Sequence, residues 1–372
     1  MAVNLAKHQV IEAGKQLVKE NLIVRTWGNV SSRLDDNSFL ITPSGRNYFT
    51  LTPAEIVEVK IADLSHKGDV KPSSEKRIHA AVYRNFPEIN FIIHTHQENA
   101  SILAASGLEA FQLPEPSSLL GRQVPCAPYA LPGTRTLQRN VIMTLLASQG
   151  QAVLMERHGA LCVGRSYEEA FAVAAELEET CGRFINERFS WQAQAEKGPA
   201  YPESRRIQGG FSLFDQGGGE IKVLTANGGD RLGWEGQISR AVYSRQAGVN
   251  WIVFDASPPC VEFSRLKRPL KPLLDDFAQI VGTSAKTVAS DPEQVAAALQ
   301  RSAAVFVEGL GVICTGRTRD EARAVSLVTR KACKAYLVAA QGGKPKPINP
   351  LEALLMRLVY KKTYSQLAEN NS

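Results

Sequence analysis

Apolar positions along the chain recur with two periods. Residues 3–20 carry them at helical spacing, and so do residues 75–86, where Ile78, Ala81 and Val82 fall at i, i+3 and i+4. Between such stretches lie short apolar runs. Asn90–Ile93 is partly β-branched and reads as a buried strand that continues into His94-Thr95-His96. Residues 152–156 and 160–163 read as two more strands on either side of His158-Gly159. The stretch 166–188 opens Ser-Tyr-Glu-Glu, which places Ser166 to cap a helix and Glu169 at its third position. Strands alternating with helices predict a three-layer α/β domain around a mainly mixed or antiparallel sheet.

The pattern is written twice. Residues 152–181 align without gaps on 304–333, with twelve of 30 positions identical, Cys162 with Cys314 and Cys181 with Cys333 among them. A second block, 75–93, aligns on 235–253 with seven of 19 identical. Two blocks in the same order at nearly the same offset indicate a duplicated domain. Seventy-four residues precede the first shared block in the N-terminal copy. Only about 25 follow the Gly209-Gly210 turn in the C-terminal copy, so its start reads as truncated or remodelled. The polar, Pro- and Gly-bearing stretch 192–206 reads as a linker.

Composition adds little except in one residue type. With 372 residues, 44% hydrophobic and 22% charged, the chain is ordinary globular protein of two-domain size. It shows neither a membrane-length apolar run nor the apolar stretch of a signal peptide. Six cysteines without a CxxC pair fit reduced thiols and a cytoplasmic setting. The net charge of +6 suits an anionic substrate, while the densest basic patch, Lys344 to Lys362, reads as a solvated face and not a nucleic-acid surface. All six histidines lie within the first 158 residues and none in the remaining 214. Histidine chemistry therefore belongs to the N-terminal copy.

Residues i and i+2 of a strand project to one face, so His94 and His96 can approach one ion. His158 ends another strand beside a glycine that permits close backbone approach. Three neutral imidazoles with an open fourth position describe a catalytic zinc site. An HxH alone is a weak signal, and the repeat strengthens it. Phe254, Ala256 and Leu310 stand where the second copy would need the three histidines. Residues lost as a set point to residues acting as a set.

Pro72-Ser73-Ser74-Glu75 opens the 75–86 helix. As plain structure, Ser74 caps that helix and Glu75 favours the positive end of its dipole. As chemistry, the hydroxyls and backbone N–H groups bind a phosphate, and Glu75 moves protons beside a metal. The second copy keeps Glu235 but has Gly233 and Trp234 for the serines. Gly28-Asn29-Val30-Ser31 and Thr42-Pro43-Ser44-Gly45 are short turns rich in hydroxyls, amides and free donors, which suit an anion or a plain turn. His79, four residues after Glu75 on the same helical face, either joins the site or is a partly buried helix histidine, and its replacement by Ser239 in the second copy favours the latter.

These motifs, with Pro125-Cys126-Ala127-Pro128-Tyr129 and Gly133-Thr134 between the histidine pair and His158-Gly159, occur in an order that resembles the class II aldolase/adducin family. The likeness is to its L-fuculose-1-phosphate aldolase branch and covers about residues 5–190. It implies a three-layer α/β/α class II aldolase-like sandwich, duplicated in tandem: a catalytic domain at 1–191, a linker at 192–208 and a degenerate domain without metal ligands at 209–372. By that resemblance His94, His96 and His158 are the zinc ligands, although another divalent metal would serve. Glu75 is the catalytic acid/base. Asn29, Ser44, Gly45, Ser73 and Ser74 form the substrate-phosphate cradle, shaped by Gly28. The implied reaction is retro-aldol cleavage of a ketose 1-phosphate to dihydroxyacetone phosphate and an aldehyde.

Family members form four-fold rings with sites at subunit interfaces, which implies a homo-oligomer in which two tandem chains imitate a ring. One feature departs from the pattern. The loop Gly107–Val124 lacks the tyrosine that serves as proton donor in the fuculose phosphate enzymes, and Tyr129, Tyr201, Tyr360 and Tyr364 are the candidate substitutes. Epimerisation, dehydration or decarboxylation of a sugar phosphate on the same site is the alternative within enzymes. A non-catalytic, adducin-like scaffold is the alternative outside them.

Overall fold

The computed structural model describes residues 2–23, 27–190, 199–224, 233–343 and 345–369. They form two compact units, Met1–Phe189 and Ser190–Ser372. The part of the expected linker at 192–198 lies outside the described residues. Its later part does not behave as a linker, because Glu203–Ile207 is a strand of the second sheet.

The first unit runs α1 (Ala2–Lys19), β1 (Gly28–Arg33), β2 (Ser38–Ile41), β3 (Val57–Lys60), α2 (Lys76–Asn85), β4 (Phe91–Thr95), α3 (Glu98–Ala104), β5 (Ala110–Ser117), β6 (Gly121–Ala127), α4 (Arg135–Leu146), β7 (Ala152–Met155), β8 (Gly159–Gly164) and α5 (Tyr167–Arg188). Its eight strands lie in the order β3-β2-β1-β4-β8-β7-β6-β5. All neighbours are antiparallel except β6 and β7. Helices α2 and α4 cover one face, where Ile78, Val82 and Val141 pack on Phe39, Ile92 and Leu161. Helices α1, α3 and α5 cover the other. The short strands at the centre are buried on both faces, which explains why they read as unbroken apolar runs and not as alternating ones. Ser166 caps α5 by accepting the Glu169 N–H at 3.3 Å.

The second unit runs β9 (Glu203–Ile207), β10 (Gly210–Phe214), β11 (Glu220–Leu224), α6 (Trp234–Arg245), β12 (Trp251–Asp255), α7 (Pro258–Arg265), α8 (Asp275–Ile280), β13 (Thr287–Val288), α9 (Pro292–Leu299), β14 (Ala304–Val307), β15 (Gly311–Gly316), α10 (Arg319–Gln341) and α11 (Pro350–Glu369). Its order, β11-β10-β9-β12-β15-β14-β13, is that of the first sheet without an equivalent of β5. The start of this unit is therefore less truncated than the sequence suggests. It keeps all three leading strands, and among the described residues it lacks only a counterpart of α1.

One arginine per unit proves the equivalence. Arg33 leaves β1 and donates to the carbonyls of Tyr83 (2.8 Å), Phe86 (2.9 Å) and Ile89 (2.9 Å), with its guanidinium 4.8 Å from the Tyr83 ring centre. Arg206 leaves β9 and donates to Tyr243 (2.9 Å), Gln246 (2.7 Å) and Val249 (2.8 Å), 4.8 Å from the Tyr243 ring. The arginine-to-tyrosine separation is 50 residues in the first unit and 37 in the second, so a shorter connection delivers the same lock. Each arginine satisfies the carbonyls at the end of a helix, where no intrahelical donor remains. Arg33→Ala and Arg206→Ala should each destabilise their own unit by about 1–3 kcal/mol. Urea unfolding of the single and double variants checks this, and additive losses are expected.

Candidate metal centre

The site forms where adjacent strands β1, β4 and β8 meet the N-terminus of α2. Register sets Asn29 opposite His94 across β1 and β4, and Ala160 opposite Thr95 across β4 and β8. Gly28 makes this pairing possible. Its φ is +143°, and a Cβ there would lie 2.7 Å from the His94 carbonyl oxygen. Gly159 does the same for β8, since a Cβ would meet the Thr95 carbonyl oxygen at 2.1 Å. The β7–β8 hairpin turns through Arg157 at φ +62°, a left-handed position that Gly309 fills in the second unit. That tight turn brings His158 back beside the end of β4.

His94, His96 and His158 converge, with one ligand nitrogen of each within 4.8 Å of the others. The His94 and His158 rings stack at 4.9 Å and 6°, and His96 stands edge-on to both. His94 Nδ1 donates to the Ala160 carbonyl at 2.9 Å, which leaves the ring's lone pair on Nε2. That nitrogen lies 3.2 Å from His96 Nε2 and 3.0 Å from Glu75 Oε2. His158 Nε2 lies 2.9 Å from Glu75 Oε1. Imidazole electron pairs and a carboxylate aimed at one small volume are the donor set of a divalent cation, and the residues fit one.

Glu75 is buried, 6% exposed. Burial alone would raise its carboxyl pKa, but His94 and His158 outweigh that and hold it well below the usual carboxylate range. The residue occupies the capping position of α2 itself, and its N–H is accepted by Ser73 Oγ at 3.3 Å. Ser73, not the expected Ser74, therefore closes the helix start, and Ser74 is left exposed.

The three hydroxyl-rich segments are brought together by backbone bonds. Thr42 N–H donates to Val30 O at 3.1 Å, Ser73 N–H to Thr42 O at 3.1 Å, and Ser44 N–H to Lys71 O at 3.0 Å. Gly45 turns at φ +70°. Ser44, Gly45, Ser73 and Ser74 thus belong to one neighbourhood at the start of α2. Asn29 is buried, and its amide donates to Glu75 Oε2 at 2.9 Å.

Two contributors carry no signal in the sequence, and a third, His79, is more deeply built into the site than the sequence suggests. Tyr48 donates to the Gly28 carbonyl at 3.0 Å, in a space left by Gly14, where a Cβ would fall 2.0 Å from the ring. Arg157 packs over the Tyr129 ring at 5.1 Å. His79 is completely buried and bonded to both Asn29 and Ser31. Its signal was present, because Glu75, His79 and Tyr83 are spaced four apart on one helical face. Of the four candidate tyrosines, only Tyr129 belongs to the first unit, and the side chain of Tyr364 lies outside the described residues.

The family model described as "Class II Aldolase and Adducin N-terminal domain" matches residues 8–185 and again 217–337. The chain belongs to this family. The double match accords with two sheets of one topology, and the class II aldolases are metal-dependent, as the histidine cluster leads one to expect. Among curated class II aldolase relatives, the chain is 31% identical over 182 residues to the 5-deoxy-D-ribulose 1-phosphate aldolase of Bacillus thuringiensis, covering 48% of this chain and 83% of that one. It is 32% identical over 182 residues to the L-fuculose phosphate aldolase of Escherichia coli, covering 48% and 81%. It is 30% identical over 180 residues to the 3-oxo-tetronate 4-phosphate decarboxylase of Pectobacterium atrosepticum, covering 47% and 81%.

The second class II aldolase unit has its equivalent position filled. Trp234 stands edge-on to Phe254 at 5.3 Å, and Ala256 and Leu310 line the same small pocket, so apolar side chains stand where the first unit has imidazoles. Glu235, the retained glutamate, accepts the Ala200 N–H at 2.7 Å instead of facing imidazoles. No helix of the described residues is long and apolar enough to cross a membrane.

The purified protein should carry a divalent cation that a chelator removes, and His94→Ala and His158→Ala should each abolish tight binding. Gly159→Ala should weaken binding without touching a ligand. Elemental analysis after gel filtration reads all of these, and full retention of metal by His94→Ala would contradict the assignment.

Proposed function

We propose that the first unit is a zinc-dependent carbon–carbon lyase. Its substrate would be a ketose 1-phosphate of the fuculose 1-phosphate type, cleaved by retro-aldol reaction to dihydroxyacetone phosphate and an aldehyde. The observation that carries this reading is Glu75: a buried carboxylate 2.9 and 3.0 Å from two members of a three-histidine cluster, adjoining the Ser73-Ser74 hydroxyls. Zn²⁺, or another divalent cation, held by His94, His96 and His158 would supply Lewis-acid polarisation of the substrate carbonyl.

The remaining tasks fall to the chain. Ser44, Gly45, Ser73 and Ser74 would hold the phosphate dianion at the start of α2, where free N–H groups and the helix dipole favour negative charge. That placement fixes the third and fourth carbons of the sugar against Glu75. As their bond breaks, the fourth-carbon hydroxyl would give its proton to the Glu75 carboxylate and become the aldehyde, while the bonding pair moves toward the carbonyl. Glu75 would then return that proton to the third carbon, completing dihydroxyacetone phosphate and restoring the carboxylate. Low dielectric and fixed partners suit a carboxylate to that exchange.

A second reading is favoured by the decarboxylase among the relatives. Loss of carbon dioxide from a phosphorylated 3-oxo acid also breaks a bond beside a carbonyl and needs a proton at the carbon left behind. The filled site of the second unit supports a structural role for that half. We also propose a homo-oligomer in which two chains alternate working and filled units; light scattering that shows a stable monomer at micromolar concentration overturns it.

The decisive experiment is a screen of ketose 1-phosphates for dihydroxyacetone phosphate release, with a phosphorylated 3-oxo acid assayed in parallel for carbon dioxide. Glu75→Gln should retain the metal and lose about 10²–10⁴-fold in kcat. Carbon dioxide without dihydroxyacetone phosphate selects the second reading. Neither product from metal-loaded protein overturns the lyase assignment.

A further inference from the structure

A continuous buried chain of hydrogen bonds runs from Glu75 into the apolar layer under α2. Asn29 Nδ2 donates to Glu75 Oε2 at 2.9 Å, and Asn29 Oδ1 meets His79 Nε2 in a very short contact. His79 Nδ1 lies 2.6 Å from Ser31 Oγ, which lies 2.8 Å from the Tyr83 hydroxyl. Ser31 and His79 are fully buried, and Tyr83 nearly so. Their neighbours in the layer, Ile78, Val82 and Ile92, are apolar.

The chain admits one arrangement of protons. A carboxylate only accepts, so the amide nitrogen of Asn29 must face Glu75 and its carbonyl oxygen must face His79. That oxygen also only accepts, so His79 carries its proton on Nε2. Its Nδ1 is then an acceptor, Ser31 donates to it, and Tyr83 donates to Ser31. Every donor points toward Glu75. Burial, opposed by the Glu75 carboxylate, pushes the His79 pKa down to about 3, so the ring stays neutral and cannot become a double donor near neutrality. Burial likewise pushes the Tyr83 phenol up, keeping its proton in place.

The second unit supplies an internal control. Its Ser204 occupies the Ser31 register opposite Ile252, and Tyr243 stands for Tyr83. Pro202 takes the place of Asn29, accepting the Phe254 N–H at 2.8 Å, and Ser239 takes that of His79. The serine and tyrosine persist where the histidine ligands are gone. Asn29 and His79 are lost together with those ligands.

We infer that His79 is a positioning residue for the acid/base: its fixed Nε2–H holds the Asn29 carboxamide, which in turn orients the Glu75 carboxylate and leaves the second Asn29 amide hydrogen for the substrate. This inference rests on the reading of Glu75 given above. The test exploits which ring nitrogen a substitute can mimic. The glutamine amide reaches the Nε2 position, whereas asparagine reaches only the Nδ1 position. His79→Gln should therefore keep most of the wild-type kcat, and His79→Asn should lose about 10–100-fold in kcat with KM changed much less and metal content intact. Nitrogen-15 NMR of histidine-labelled protein should show His79 protonated at Nε2 alone across about pH 5–8.

A purely structural histidine would rank the two variants by thermal stability and leave kcat per folded molecule unchanged; that result, or an Nδ1–H tautomer, overturns the inference. If Glu75→Gln itself keeps full activity, the acid/base reading fails first. If Glu75→Gln is inactive and His79→Asn is not, only the positioning role falls.

Discussion

A carboxylate taken out of water must receive from the protein what water supplied, and Glu75 sets that requirement for the whole first unit. Its burial would neutralise it, were two imidazoles not within 3.0 Å. Those imidazoles hold their places because strands β4 and β8 end side by side. The strands can end side by side because Gly28 and Gly159 remove the Cβ atoms that would collide with neighbouring carbonyls. The Asn29 amide supplies one further bond, and that amide must itself be held. The polar line through His79, Ser31 and Tyr83 crosses the core layer for this reason, in a region that would otherwise be filled with methyl groups.

The second unit shows the same scaffold released from the requirement. Glu235 survives there, but a backbone N–H at 2.7 Å answers it, and no imidazole is needed. Trp234 and Phe254 then close the space by stacking edge to face, which contributes apolar burial and creates no desolvated charge. The arginine lock beneath the helix is unchanged between units, down to the 4.8 Å approach of guanidinium to tyrosine. The fold and the site are thus separable: packing and the lock hold the sheet against its helix, and the histidines, Asn29 and His79 are additions to it.

How much of this could be read from the chain depends on the range of the interaction. Helices and central strands were legible because periodicity is local, and Ser166 with Glu169 announced its cap within four residues. The histidine set was legible because the repeat printed a version without it. Strand β9 was hidden inside an apparent linker. Its Glu-Ser-Arg-Arg-Ile sequence is polar, and although β10 pairs with it through a tight turn, its other partner, β12, lies more than forty residues away. The role of Asn29 was half hidden for the same reason. A Gly-Asn-Val-Ser turn suggests an anion, and only the β1–β4 register reveals that its amide meets Glu75. His79 looked replaceable because Ser239 replaces it, yet His79 bonds Asn29 and Ser31 while the buried Ser239 hydroxyl finds no partner among the described residues.

The duplicate keeps only the serine and tyrosine of this buried polar line, with Ser239 where His79 stands. A half-satisfied chain of polar groups is worse than an apolar layer of equal volume, so selection for stability alone would remove it. The first unit retains every link, and each link is satisfied in one direction only. It also tolerates Arg157 in a left-handed turn where its duplicate uses glycine. The complete line and the strained turn both lie beside His158 and Glu75, whereas the second unit has glycine at the turn and keeps only the serine and tyrosine of the line. Within one chain, the complete polar line and the left-handed Arg157 turn accompany the histidine cluster and are missing where the histidines are missing.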